Sequence, residues 1–139
     1  MISEPKLYRG DHSKDQRGII FHNNNFDFKP INRGYLIEND NLNIQRGWKG
    51  HVIEKRWFLC TRGMITISVI AIESLQNKVD DSFHYELSDS NFDILEVPAG
   101  YATLIQQKVD ESRILCFSDY HLNTSNDENL RWPENYLEI

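Results

Sequence analysis

The sequence predicts an all-β protein built as a double-sheet jelly roll. Three observations carry this. Apolar residues recur with period two in short runs rich in Ile, Val, Phe, Tyr and Thr, the pattern of half-buried strands. Turn-forming clusters separate the runs: Asn23 to Asn25, "NDN" at 39–41, "TRG" at 61–63, "SDSN" at 88–91 and "PAG" at 98–100. Helix start and stop signals are scarce, and no strand–helix–strand alternation occurs, so the strands pair antiparallel in a sandwich or barrel.

In chain order the runs are "RGIIFHN", "RGYLIEN", "RWFLCTRGMITISVIAI", "HYELSD", "FDILEVPAGYATLIQQ" and "SRILCFSDY". Divided at their turns, they make roughly eight to ten strands, which suits two packed sheets with a ligand-sized hollow between them. The segment "AIESLQNKVDDS" has room for a turn of helix but reads better as an exposed connection. The tail from Asn123 to Ile139 is polar with apolar anchors at Leu130, Trp132, Pro133 and Tyr136. It is expected to be irregular or shortly helical and to wrap over a sheet. There are no internal repeats and no low-complexity segments, and residues 1–139 are expected to form one domain.

With 139 residues, 40% of them hydrophobic, the chain can bury a core without metals or disulfides. The net charge of -6 argues against nucleic acid as a partner and requires a local basic cluster for any anionic ligand. Cys60 and Cys116 sit inside apolar runs and read as buried thiols of a reducing compartment. No stretch has the length of a signal peptide's apolar region or of a membrane helix, so a cytoplasmic protein is expected.

One short stretch concentrates chemistry. "RGWKGH", Arg46 to His51, holds two glycines, a tryptophan, two cations and a histidine. Strict alternation puts Lys49, His51 and Ile53 on one strand face, and Trp48, Gly50 and Val52 on the other. After the next bend Arg56, Phe58, Cys60 and Arg62 share a face. If the two strands are neighbours, Arg46, Lys49, His51 and Arg56 converge at one end of a sheet, a patch suited to a phosphate or diphosphate. Charged residues beside turns are also ordinary solvated rim, and five of the seven glycines follow an arginine simply as turn chemistry requires. His12, His22, His84 and His121 form no HxH or HxxxH pair, so no metal site is expected and no cofactor is implied.

Five stretches in this order, "DQRGIIFHNN", "INRGYLI", "IQRGWKGHVIEKRWFLCTRG", "ILEVPAGYA" and "ILCFSDYHLNTSNDENLRWPENY", resemble small cupin enzymes that act on nucleotide-linked keto-deoxysugars. The closer resemblance is to the dTDP-sugar 3,4-ketoisomerases of the WxcM-like C-terminal group. The dTDP-4-dehydrorhamnose 3,5-epimerases are similar in "DxRG", in the "RG" before the active strand and in "PAGYA". The resemblance spans about Asp15 to Tyr136 and implies a cupin fold, the double-stranded β-helix.

Carried over by position, the ketoisomerase pattern RGxHxH matches Arg46, Gly47 and His51, while Lys49 stands where the first histidine would be. The epimerases keep their base at that same position and carry a histidine where this chain has Thr103. "FSDYHL" puts Tyr120, or His121, where an epimerase keeps its acid tyrosine. Arg33 and Tyr35 resemble an Arg-x-Tyr of the ketoisomerase pocket. The resemblance implies an isomerase or epimerase of a nucleotide-diphosphate 4-keto-6-deoxy sugar in surface-polysaccharide biosynthesis, and usually a homodimer sharing strands. His51, Lys49 and Tyr35 are then the catalytic candidates. Arg33, Arg46, Arg56, Tyr101, Tyr120 and His121 are the substrate-binding candidates. The alternatives are a sugar-nucleotide-binding cupin without catalysis and an interaction module of the same pathway.

Overall fold

The computed structural model describes residues 3–121 and 129–139. Its strands are β1 (Lys6–Tyr8), β2 (Asp11–Asp15), β3 (Gly18–His22), β4 (Arg33–Glu38), β5 (Gln45–His51), β6 (Arg56–Arg62), β7 (Met64–Ala71), β8 (Phe83–Ser88), β9 (Ile94–Val97), β10 (Tyr101–Gln107), β11 (Arg113–Ser118) and β12 (Asn129–Arg131); the helix α1 (Ile72–Gln76) follows β7. One five-stranded antiparallel sheet runs β1-β9-β6-β11-β4, and a second runs β12-β5-β10-β7-β8. The expected jelly roll is present, with more and shorter strands than the sequence count gave.

The two sheets face each other across a common core. Phe58, Cys60, Leu95, Val97, Ile114 and Cys116 come from the first sheet, and Ile65, Ile67, Val69, Leu87, Tyr101 and Ile105 from the second. Every second residue of these strands points inward, which is why the period-two pattern is so regular. The outer faces are covered as well. Trp57, Leu59 and Ile94 lie beneath Tyr8, Phe26, Ile31, Phe92, Leu115 and Phe117. Trp48, Ile70, Ala102 and Leu104 pack with Ile72 and Leu75 of α1 and with Leu130, Trp132, Tyr136 and Leu137 of the tail.

The 71–82 segment therefore departs from the exposed connection expected of it. Its first half is α1, because Ile72 and Leu75, three positions apart, fit one apolar face against β5 and β10. The described part of the tail is not helical. Residues 129–131 form strand β12 on the edge of β5, and Trp48 and Trp132 exchange both backbone hydrogen bonds, 3.1 and 3.0 Å. A strand wins there because the exposed edge of β5 offers a ladder of unpaired backbone groups. Residues 123–128 of the expected tail lie outside the described residues. Among the described residues β2 and β3 pair only with each other, and they present Ile19, Ile20 and Phe21 to solvent, 45%, 65% and 41% exposed.

Candidate active site

Strand register assembles the candidate site as two facing rows of side chains. On the first sheet Ser118 of β11 stands opposite Arg33 of β4 on one side and Arg56 of β6 on the other. Directly paired residues share a face, so Arg33, Ser118 and Arg56 form a row pointing into the sandwich. On the second sheet Lys49 of β5 stands between Thr103 of β10 and Arg131 of β12. Arg56 connects the rows. Its Nη1 donates to Thr103 Oγ1 at 3.3 Å and its Nη2 to the Lys49 carbonyl at 3.5 Å.

The convergence of Lys49, His51 and Arg56 thus occurs across the sandwich and not along one sheet, since β5 and β6 belong to different sheets. Arg62 leaves the inward series. A register shift at Arg113/Ile114 moves it to the surface, where it pairs with Glu38 at 2.7 Å. Val52 and Ile53 lie past the end of β5 and are exposed.

Arg46 required more than alternation to join its neighbours. Counted by twos from Lys49, it belongs on the outer face with Trp48. The pairing Thr103↔Lys49 followed by Ile105↔Arg46 contains one extra residue on β5, a bulge that returns Arg46 to the core-facing side opposite Ile105. Gly47 makes this possible: its φ is 149°, and a Cβ there would lie 2.5 Å from the Thr103 carbonyl oxygen. Arg46 is exposed at the rim, with Nε donating to Asn39 Oδ1 at 2.7 Å.

His51 and Glu54 are the buried ionisable pair of the site, 3% and 2% exposed. His51 Nε2 lies 3.2 Å from Glu54 Oε2. Glu54 Oε1 accepts from Arg33 Nη2 at 3.1 Å and from Ser118 Oγ at 2.7 Å. The turn that carries Glu54 is tied to the end of β11: Lys55 N–H donates to Asp119 Oδ1 at 2.9 Å, and Asp119 N–H to the Lys55 carbonyl at 3.2 Å. Arg33 also donates from Nε to the Tyr120 carbonyl at 3.1 Å and lies over the Tyr35 ring, 5.2 Å from its centroid.

Electrostatics follow from this packing. Burial lowers the Lys49 ammonium from its ordinary range, and the charges of Arg131 and Arg56 push it further down against the opposing pull of Glu54. Burial pushes the Tyr35 phenol up to about 12, so it is a proton donor near neutrality. Burial likewise raises the two free thiols, Cys60 to about 11 and Cys116 to about 12, which makes them poor nucleophiles.

Of the sequence candidates, Arg33, Tyr35, Lys49, His51 and Arg56 are brought together, with Arg46 at the rim. Tyr120 joins through its backbone carbonyl. Tyr101 is buried opposite His51, yet the charges that bear on its phenol are those of Glu4, Asp81 and Tyr85, a different surrounding. His121 is exposed. Sequence reasoning missed Glu54, Ser118 and Arg131. Glu54 had a usable signal, an acid three positions after His51, and Ser118 stood inside "FSDY". Arg131 had none, because its place depends on β12 pairing with β5. Among the described residues no group of three His, Cys, Asp or Glu side chains lies together to hold a metal ion.

The two packed antiparallel sheets form the double-sheet architecture of the cupin fold. Solved structures share the fold along 96–99% of the chain. QdtA, a sugar 3,4-ketoisomerase from Thermoanaerobacterium thermosaccharolyticum in complex with TDP, is similar with a TM-score of 0.71 at 18% identity, over 99% of this chain and 94% of that one. A 3,4-ketoisomerase from Helicobacter canadensis matches with a TM-score of 0.72 at 17% identity, over 96% and 95%. The dTDP-4-dehydrorhamnose 3,5-epimerase of Bacillus anthracis, with TDP and PPi bound, matches with a TM-score of 0.77 at 17% identity, over 98% and 83%. No protein-family model matches the chain, and no curated protein sequence does.

Proposed function

We propose that this protein is a metal-independent isomerase or epimerase of a nucleotide-diphosphate 4-keto-6-deoxy sugar, moving a proton on the carbon next to the ketone. The observation that carries the reading is the pair of facing rows. On a chain of net charge -6, Arg33, Arg56, Lys49 and Arg131 gather at one end of the sandwich beside a buried histidine. Such a cluster suits a dianionic diphosphate, with the exposed Arg46 offering a bidentate fork at the rim and the buried Arg56 adding its charge.

In this scheme His51 takes the proton from the carbon next to the carbonyl; the electron pair of that C–H bond forms the carbon–carbon double bond, and the carbonyl π pair moves onto the oxygen. The Lys49 ammonium donates to the developing enolate, with the Tyr35 phenol as second donor. Protonation of the other carbon of the enediol, with loss of the hydroxyl proton on the first, shifts the ketone; protonation of the first carbon on its opposite face, by a donor other than His51, inverts the centre. Ligands carried by proteins of the same fold, TDP in the ketoisomerase and TDP with PPi in the epimerase, support a nucleotide-sugar substrate. The sequence resemblance supports a cytoplasmic step supplying surface polysaccharide. Exposed Ile19, Ile20 and Phe21 on the β2–β3 hairpin support a homodimer, in which light scattering should find twice the 16.4 kDa of one chain.

The test is a panel of dTDP- and UDP-linked 4-keto-6-deoxy sugars, each incubated with the protein and followed by proton NMR. Conversion of at least one supports the reading. Binding of dTDP without conversion of any would support a sugar-nucleotide-binding cupin instead.

A further inference from the structure

Glu54 has no part in the scheme above, yet it is the most enclosed charged side chain of the site, 2% exposed. Burying a carboxylate is costly unless its oxygens are matched by donors, and here both are engaged. Oε1 accepts from Arg33 Nη2 at 3.1 Å and Ser118 Oγ at 2.7 Å, and Oε2 faces His51 Nε2 at 3.2 Å. Arg33 is fixed in turn by the Tyr120 carbonyl at 3.1 Å and the Tyr35 ring.

We infer that Glu54, set by Arg33 and Ser118, is the positioning residue for His51, and this rests on the reading of His51 as the base. A carboxylate against Nε2 holds the neutral ring's proton on Nε2, so the basic lone pair is carried by Nδ1. The same carboxylate stabilises the imidazolium once the ring has taken a proton. It also supplies the negative charge that keeps an imidazolium tolerable among the cations facing the same end of the sandwich: Arg33 from β4, Lys49 from β5, Arg56 from β6 and Arg131 from β12. The Tyr35 phenol on β4 faces the same charges, whereas that of Tyr101, opposite His51 on β10, lies among Glu4, Asp81 and Tyr85. The geometry therefore gives the second histidine of the motif its own acidic partner, in a chain where a lysine fills the first position.

The experiment is nitrogen-detected NMR of the full-length, labelled protein without substrate, with the His51 ring assigned by its loss in His51→Gln. The wild-type ring should carry its neutral proton on Nε2. In Glu54→Gln the midpoint of its titration should move to lower pH by about one unit or more, since a charge in contact with the ring is lost. Proton exchange on a converted substrate should fall about 100-fold or more in the same variant, with a KM near that of wild type, and Glu54→Asp should recover part of it. An unchanged ring titration in a folded Glu54→Gln protein overturns the inference. If that variant does not fold, a wild-type ring with its proton on Nδ1 overturns it. Because the ring is read without substrate, loss of the proposed activity and loss of the Glu54–His51 coupling are separate results.

Discussion

Thr103 and Lys49 stand directly opposite each other on β10 and β5, and the Arg56 guanidinium touches both, through the threonine hydroxyl and the lysine carbonyl. The sequence resemblance implies histidine at both positions; in this chain the pair mounts a buried arginine, 3% exposed. Thr103→Val keeps the shape and removes the acceptor. It should weaken calorimetric binding of dTDP by about 1–2 kcal/mol, with a smaller loss of thermal stability. Binding equal to wild type would mean that Arg56 does not need this hydroxyl for its orientation.

At the rim, Arg46→Ala should weaken nucleotide-sugar binding by about 1–3 kcal/mol through loss of a charge-assisted contact. Unchanged calorimetry would remove Arg46 from the site. Gly47→Ala tests how Arg46 gets there. A Cβ at φ 149° and 2.5 Å from the Thr103 oxygen should cost about 1–3 kcal/mol in denaturant unfolding and reduce dTDP affinity as the bulge shifts.

Lys49 has a depressed ammonium pKa in the folded state, mainly through burial, against an ordinary value of 10.5. Between the two values the unfolded chain binds more protons, so stability rises with pH across that window. Below it the lysine is a standing cost. Lys49→Met should therefore melt at a higher temperature than wild type at pH 7, and the gap should narrow as pH approaches 10.5. A gap that widens with pH would contradict the sign.

For Cys60 and Cys116 burial raises the thiols to about 11 and about 12 from 9.0. Above pH 9 the unfolded chain loses these protons first, so this contribution to stability falls as pH rises towards 11–12. Neither thiol should react with Ellman's reagent at pH 8 until denaturant is added. Rapid labelling of the folded chain would show that the core opens.

Much of this was legible in the sequence. Alternation placed Lys49 and His51 on one face because nothing interrupts β5 between them; Arg33 and Tyr35 came from the resemblance, and they share a face because β4 is likewise uninterrupted. It failed at Arg46, where a single extra residue at Gly47 reverses the face, and at Arg62, where a second register shift does so. Such shifts depend on the partner strand, and a one-strand pattern carries no trace of them. The helix α1 was hidden because Ile72 and Leu75 are too few to establish a helical period. Arg131 and Ser118 enter through pairing across chain distances that spacing does not encode.

In the proposed reaction His51 moves a proton on a carbon beside a ketone. The direct measurement is deuterium wash-in from heavy water, read by NMR on dTDP-4-keto-6-deoxyglucose and its relatives, with wild type and His51→Ala side by side. Exchange at the carbon next to the ketone is expected with wild type, and its loss, by about 100-fold or more, in the variant. Nucleotide-sugar binding with no exchange in wild type, or exchange that survives in His51→Ala, would contradict it.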